Sequence, residues 1–254
     1  SYRRFRFHET RLLKKADAVI CISETLRNEA LSRGVNPEKI SLVPNAITEN
    51  NSGNKSELLP IAKSKLGDCI VIGYIGSLRD IEGVNFTAEA VSLLRDQGQD
   101  VKLFILSSQS GQEELRNYCE SLGIIDDVVI MGPVPHEQVA PFYKLIDIFV
   151  VSRPNTRVTR LVTPLKPFEA MYNGRSIVMS NLPALAEIVD HGTTGLLYPA
   201  GDIESLSSTI KTLIGDEKFR NELGQNAKKW VEENRTWSNV IDGALNAYQI
   251  AQNK

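Results

Sequence analysis

The sequence predicts a doubly wound α/β fold, a parallel sheet with helices on both faces, followed by a helical tail. Three observations carry this expectation. Short β-branched runs alternate with stretches of helical length, the rhythm of βαβ units. The composition is that of a globular chain, 254 residues with 42% hydrophobic and 24% charged side chains, enough for one large core. A polar stretch, Asn50–Lys55, separates a small leading piece from the main body.

The leading piece, residues 1–48, reads as a basic helix near 5–15, a strand Ala18–Ile22, a helix capped by Ser23 with Glu24 in its first turn, and a strand Ile40–Val43. Two strands do not make a stable sheet. The piece is therefore expected to be the terminal unit of a preceding domain that mostly lies outside the chain. Residues 49–65 are expected to be a linker. The main domain, 66–234, carries candidate strands Ile70–Ile75, Val101–Leu106, Val128–Met131, Ile148–Val151, Ile177–Met179 and Thr194–Tyr198. Val84–Gln97 is helical because Val84, Ala88, Val91 and Leu94 recur at a 3.6-type spacing. Gln112–Leu122, Glu137–Leu145, Phe168–Asn173 and Ala184–Val189 are further helices, and Ile203–Ile214, Lys218–Glu233 and Asn239–Gln249 form the tail, with Trp230 and Trp237 as packing anchors. The last helix, within 235–254, is expected to return toward the leading piece. Sheets of this type bind ligands beyond the carboxyl ends of their strands, which directs attention to the loops after Ile75, Met131 and Val151.

Charge and cysteine usage exclude several classes of function. The formal net charge of -2 hides an asymmetry, because residues 1–15 hold six basic side chains and one acidic, leaving 23 basic against 30 acidic in the rest. Nucleic-acid binding needs a broad basic face and is not expected. The run Tyr2–Phe7 suits peripheral contact with an anionic membrane, although such charges more often form a solvated face or an interdomain contact. Cys21, Cys69 and Cys119 are scattered and odd in number, which fits a reducing cytoplasmic setting better than a disulfide framework or zinc site. His8, His136 and His191 lie apart, so no metal-ligand pair is expected.

The chemistry concentrates in Thr163–Glu169. Pro164 and Pro167 set φ, and Pro167 belongs in the first turn of the helix that follows. Lys166 with amides at that helix start would suit a diphosphate, and Glu169 is an acceptor for paired ribose hydroxyls. Glu169 would equally complement the helix dipole. Arg153, Arg157 and Arg160 crowd the preceding loop, as an anion pocket or as a salt-bridged surface. Gly76, in the loop Gly76-Ser77-Leu78-Arg79, lets backbone approach a ligand, or serves the turn alone. Glu187 lies on the next helix, facing the same cleft or solvent.

The order of these motifs carries a resemblance. Gly76-Ser77-Leu78, Pro164-Leu165-Lys166-Pro167-Phe168-Glu169-Ala170-Met171, Asn173-Gly174, Glu187-Ile188-Val189 and Gly192-Thr193-Thr194-Gly195-Leu196-Leu197 together resemble the donor half of a GT-B glycosyltransferase of family 4. Ala16-Asp17-Ala18-Val19 with Ser23-Glu24, then Val43-Pro44-Asn45-Ala46, resembles that family's crossing between its domains. The resemblance implies a Rossmann-like C-terminal domain and retaining transfer from a nucleotide diphosphate sugar to a glycan or lipid-linked acceptor, with no metal or other cofactor. It implies diphosphate contacts at Gly76, Ser77, Arg79, Arg160, Leu165 and Lys166, a ribose contact at Glu169, and nucleobase contacts at Val134 and Pro135. Lys166 and Glu187 are implied at the reacting centre.

Three positions depart from the family pattern. Leu161 stands where the family has an acid eight residues before the equivalent of Glu169, and Ser77 and Glu82 stand nearest its usual arginine and lysine. Arg79 is the available substitute. Without the acceptor wall the isolated chain is expected to bind donor weakly and transfer nothing. Two other readings share the architecture: a donor-binding half that needs a partner subunit, and a nucleotide-sugar epimerase, for which no acid–base pair across the cleft is evident.

Overall fold

A computed structural model describes residues 2–48 and 56–252. Its main sheet contains β3 (Ile70–Ile75), β4 (Val101–Leu106), β5 (Val128–Met131), β6 (Ile148–Val151), β7 (Ser176–Ser180) and β8 (Leu196–Tyr198). All strands are parallel in the order β5-β4-β3-β6-β7-β8. These strands are near-continuous apolar runs, because helices cover both faces and leave no solvated side. Phe104, Phe149, Ile72 and Ile105 are fully buried among them. Strand order reverses between β3 and β6, where Ile72 sits opposite Ile148, and the crevice at such a reversal is where ligands bind in this architecture.

The helices start where local chemistry allows. α4 (Val84–Asp96) begins after Gly83, whose φ of +66° is left-handed. A Cβ at Gly83 would lie 2.0 Å from the Ser152 carbonyl oxygen, so only glycine lets α4 begin hard against the loop after β6. α10 (Ile203–Gly215) is capped by Asp202, and α11 (Glu217–Asn234) by Asp216. α8 (Lys166–Tyr172) carries Pro167 in its first turn, as its fixed φ predicts.

The leading piece consists of α1 (Tyr2–Lys15), β1 (Val19–Cys21), α2 (Glu24–Ser32) and β2 (Ile40–Leu42), with β1 and β2 parallel. A small core of Val19, Cys21, Ala30, Val35 and Ile40 holds it together. The final helix α12 (Trp237–Gln252) packs on β2. Contact is close, since a Cβ on Gly243 would fall 2.2 Å from the Leu42 carbonyl oxygen, and Ser41 Oγ donates to the Gly243 carbonyl at 2.5 Å.

Several expectations need correction. Of the expected linker, residues 49–55 lie outside the described residues; in the remainder α3 (Leu58–Leu66) forms and buries Ala62 and Leu66 in the main core. Pro60 obscures this helix in the sequence, but proline is tolerated in a first turn. The helix expected over Glu137–Leu145 is a 3-10 turn, His136–Gln138, followed by the short α6 (Ala140–Tyr143) that begins around Pro141. α7 (Arg157–Leu161) is not among the expected helices; a reciprocal cap between Thr156 and Thr159 supports it. α5 spans Gln112–Ser121, and α9, Pro183–Ala186, ends before Glu187. β8 starts at Leu196 because Thr194 Oγ1 accepts the Asp190 amide at 2.9 Å and closes a turn there. Trp230 packs against the core, whereas Trp237 is 51% exposed and anchors nothing on its outer side.

Candidate active site

The loops after β3 and β6 meet at the strand-order reversal, and a buried ion pair fastens them together. Arg153 Nε donates to Glu82 Oε2 at 3.0 Å, and its Nη2 reaches both Glu82 oxygens at 3.0 and 2.9 Å. Its remaining Nη1 donates to the Val162 carbonyl at 3.0 Å. Both side chains are buried, so this guanidinium is fully committed and unavailable to an anion. A Cβ on Gly76 would meet the Tyr74 hydroxyl at 2.6 Å, which gives this glycine a packing reason. Burial, reinforced by Glu82, pushes the Tyr74 hydroxyl well above its ordinary pKa and keeps it neutral.

The expected pocket of three arginines therefore does not form. Arg153 is internal, Arg157, though exposed, pairs through Nη2 with Glu29 at 2.7 Å with its guanidinium 5.5 Å from the Tyr2 ring centre, and Arg160 is exposed. Arg153 precedes α7 and turns inward to Glu82, whereas Arg157 and Arg160 stand three residues apart on the exposed side of α7. Arg79 projects outward at 72% exposure, with Glu82 4.0 Å away. Ser77 is half-buried.

On α8, Lys166 Nζ donates to both Glu169 oxygens at 3.0 and 3.1 Å, and the Tyr143 hydroxyl donates to Glu169 Oε2 at 2.8 Å. Lys166 and Glu169 remain partly solvent-accessible. Tyr143 is buried in α6, its ring 5.8 Å from that of Phe149. Burial first, then the Glu169 charge, holds this phenol far above its ordinary pKa, so it acts only as a donor. The backbone offers less than expected: Pro167 has no N–H, and the Phe168 amide donates to the Leu165 carbonyl at 3.1 Å. Leu165 is 50% exposed at the helix start. The Lys166 side chain is the cation that this turn offers.

Glu187 is half-buried and engaged by the start of α2. Its Oε2 accepts the Glu24 amide at 2.9 Å and its Oε1 the Thr25 amide at 2.6 Å, with the Thr25 hydroxyl bonded to the same oxygen. Its carboxylate thus meets the positive end of α2 and ties the leading piece to the main domain. Val134 and Pro135 follow β5 at the outer edge of the sheet, Val134 half-buried and Pro135 exposed. The bend that places them depends on Gly132 at φ +103°, where a Cβ would fall 2.4 Å from the Ser107 carbonyl oxygen.

A cavity of about 600 Å³ opens between α4 and α5. Arg79 and Gly83 line it, as do Asp80, Glu89 and Glu114, so acids outnumber bases among its charged side chains, a poor match for a diphosphate. Lys166 and Glu169 lie outside its lining. Among the described residues no cluster of three or more His, Cys, Asp and Glu side chains could hold a metal ion, and no helix is long and apolar enough to cross a membrane.

A sequence profile described as "Glycosyl transferases group 1" matches residues 59–230, and one described as "Glycosyltransferase Family 4" matches residues 1–50. The chain belongs to the glycosyl transferases group 1 family. Among curated members it is 28% identical over 240 residues to an uncharacterized glycosyltransferase of Methanocaldococcus jannaschii, covering 92% of this chain and 60% of that protein. It is 27% identical over 244 residues to the D-inositol 3-phosphate glycosyltransferase of Corynebacterium efficiens, covering 92% of this chain and 56% of the relative. The chain thus spans little more than half the length of these relatives.

Solved structures establish the fold as GT-B. A glycosyltransferase from Rickettsia africae superposes with a TM-score of 0.82 at 15% identity, over 99% of this chain and 68% of that one. Anabaena HepE in complex with UDP and glucose superposes with a TM-score of 0.78 at 19% identity, over 100% of this chain and 67% of that one. Within this family framework, Tyr143 and the Glu82–Arg153 pairing lie beyond what sequence reasoning reached. Tyr143 reads as core beside Phe142; the available signal was its hydroxyl, which needs a partner when buried.

Proposed function

We propose that the chain supplies the donor half of a retaining glycosyltransferase that moves a sugar from a nucleotide diphosphate sugar to a glycan or lipid-linked acceptor. One observation carries the reading: Lys166 and Glu169, a cation and a carboxylate, pair on one accessible turn of α8, which packs on β6 and β7, with Tyr143 behind them. Anabaena HepE, a structural neighbour solved in complex with UDP and glucose, supports the donor class. In the proposed site Lys166 meets the diphosphate, aided by Arg79, Arg160 and the backbone of Gly76, Ser77 and Leu165. Glu169 meets the ribose, and Val134 and Pro135 the base.

In the reaction, the bond from the anomeric carbon to the diphosphate oxygen breaks while the acceptor hydroxyl bonds to the same face. The acceptor proton passes to the leaving diphosphate. No protein nucleophile or metal is required. The protein orients the partners and stabilises the departing charge. A lysine contact of this kind is worth ~1 kcal/mol in water and several times that where solvent is excluded. The acceptor wall comes from a portion of the protein outside this chain or from a partner subunit, in the cytoplasm, and the basic exposed face of α1 allows peripheral contact with an anionic membrane.

A second reading, donor binding without transfer, is favoured by Glu82, a carboxylate where the family resemblance leads one to expect a lysine. Calorimetric titration of UDP-, GDP- and ADP-sugars, with Lys166→Ala and Glu169→Ala beside the wild type, tests the site. Binding weakened by both substitutions is expected; binding untouched by either would overturn the assignment. Sugar transfer by the isolated chain would refute the need for another wall.

A further inference from the structure

We propose that Tyr143 is a positioning residue for nucleotide recognition: by holding Glu169 Oε2 from beneath, it aims the carboxylate at the ribose hydroxyls when Lys166 leaves for the diphosphate. The inference rests on the donor-site reading above and deepens it.

The ligand-free arrangement frames the problem. Lys166 bonds both Glu169 oxygens at 3.0 and 3.1 Å. A lysine so engaged neutralises the carboxylate that a ribose diol needs as acceptor. The same lysine is the main cation available to an anion on this turn, because Pro167 lacks an N–H and Arg153 is committed to Glu82. Donor binding must therefore divide the pair. A diphosphate offers Lys166 more negative charge than one carboxylate does, so the lysine moves, and Glu169 loses two hydrogen bonds together.

A glutamate on a helix turn has several rotamers, and a partly exposed one freed from its lysine would sample them. Tyr143 prevents this. Its hydroxyl bonds only Oε2, at 2.8 Å, and it approaches from the core. Its ring is 1% exposed and fixed among Phe149 and neighbouring core side chains, so the donor cannot follow a wandering acceptor. One oxygen stays tethered while the other is released toward the site. The division is built into the geometry, with Lys166 spanning both oxygens and Tyr143 holding one. The cost of the alternative enforces it, since a buried phenol without a partner is expensive.

The alternative is that Tyr143 merely satisfies its own hydroxyl against a convenient helix acid. The two cases differ in their effect on sugar discrimination. Calorimetry on the 254-residue chain would compare UDP, GDP and ADP with their 2′-deoxy counterparts, for wild type, Tyr143→Phe and Glu169→Gln. Thermal melting would accompany each variant, and Phe keeps the ring that fills the core. Wild type should prefer the ribonucleotide by about tenfold, the scale of one good hydrogen bond. Glu169→Gln should lose most of that preference. Tyr143→Phe should lose a similar share while its affinity for the 2′-deoxynucleotide, which reports the diphosphate contacts, stays within about twofold of wild type.

If wild type and Glu169→Gln behave as expected but folded Tyr143→Phe keeps the full ribose preference, the positioning role is wrong and the donor-site reading stands. If Tyr143→Phe weakens both nucleotide classes equally, or lowers affinity only in proportion to lost folded protein, the role is structural and the inference fails. If wild type binds no nucleotide, or Glu169→Gln does not alter discrimination, the donor-site reading itself fails. Should Tyr143→Phe not fold, Tyr143→Met, which keeps apolar volume without a hydroxyl, gives the same comparison.

Discussion

Glu82→Ala should destabilise the fold by about 3–5 kcal/mol, because it strands a charge that the structure has taken out of water. Arg153 makes three of its four hydrogen bonds to Glu82, at 2.9 to 3.0 Å, and keeps only the Val162 carbonyl when that partner is removed. Its side chain is 6% exposed, so water does not easily replace the lost acceptor. For a chain of this size each kcal/mol moves the melting midpoint by about 2–4 °C, which puts the expected drop at about 10 °C. The double variant E82L/R153M removes both charges and keeps apolar volume, and should recover most of the loss. Urea and thermal denaturation followed by circular dichroism measure both. A single variant within about 1 kcal/mol of wild type, or a double variant no better than the single, would refute the claim that this pair braces the two loops.

Gly83→Ala should cost about 2 kcal/mol or more by the same assay, from a Cβ 2.0 Å from the Ser152 oxygen at a left-handed φ. Glu187→Ala removes the acceptor of two α2 amides and should cost about 1 kcal/mol, with faster proteolysis in the leading piece; unchanged cleavage would contradict its role as a tie. The Arg157 hydrogen bond, joined by that of Arg33, holds the Glu29 carboxyl below its usual range. Its stabilising contribution is therefore complete above the ordinary carboxylate pKa and disappears as pH falls through the lower folded value, so Glu29→Gln and wild type should converge in stability in acid. The Tyr118 hydroxyl, bonded to Glu89, titrates at about 12, and Glu89→Gln should bring that absorbance transition down toward 10.

The sheet was legible because both of its faces are buried: each of its six strands is a short apolar run whose identity does not depend on partner or register. Helices with a long apolar stripe, such as α4, were equally plain. Legibility failed where proline or length hid the pattern. α3 begins with Pro60 in its first turn, and α7 has only five residues and depends on threonine caps. At the site, Lys166 and Glu169 could be read from one helix turn because their relation is local. Arg153, Glu187 and Tyr143 could not, because each takes a partner far along the chain: Glu82, the α2 amides and Glu169 respectively. Residue type showed that each could bond; only the fold decided to what.

The departures at Glu82 and Arg153 make sense together. A carboxylate at Glu82 is tolerable at 8% exposure only because a guanidinium meets it with three hydrogen bonds. With that pairing, the loop after β3 becomes a brace for the loop after β6. A loop closed in this way cannot also offer Arg153 to a diphosphate. Under the proposed function, the attraction for the donor falls instead on Lys166, with exposed Arg79 and Arg160 at the margin. Exposed arginines contribute little to affinity through screened contacts. Lys166 must therefore supply most of the electrostatic attraction, and it does so from a resting ion pair that the donor has to separate. The more of that attraction a single lysine carries, the more the separated glutamate needs a second restraint, and Tyr143 is the group placed to provide it.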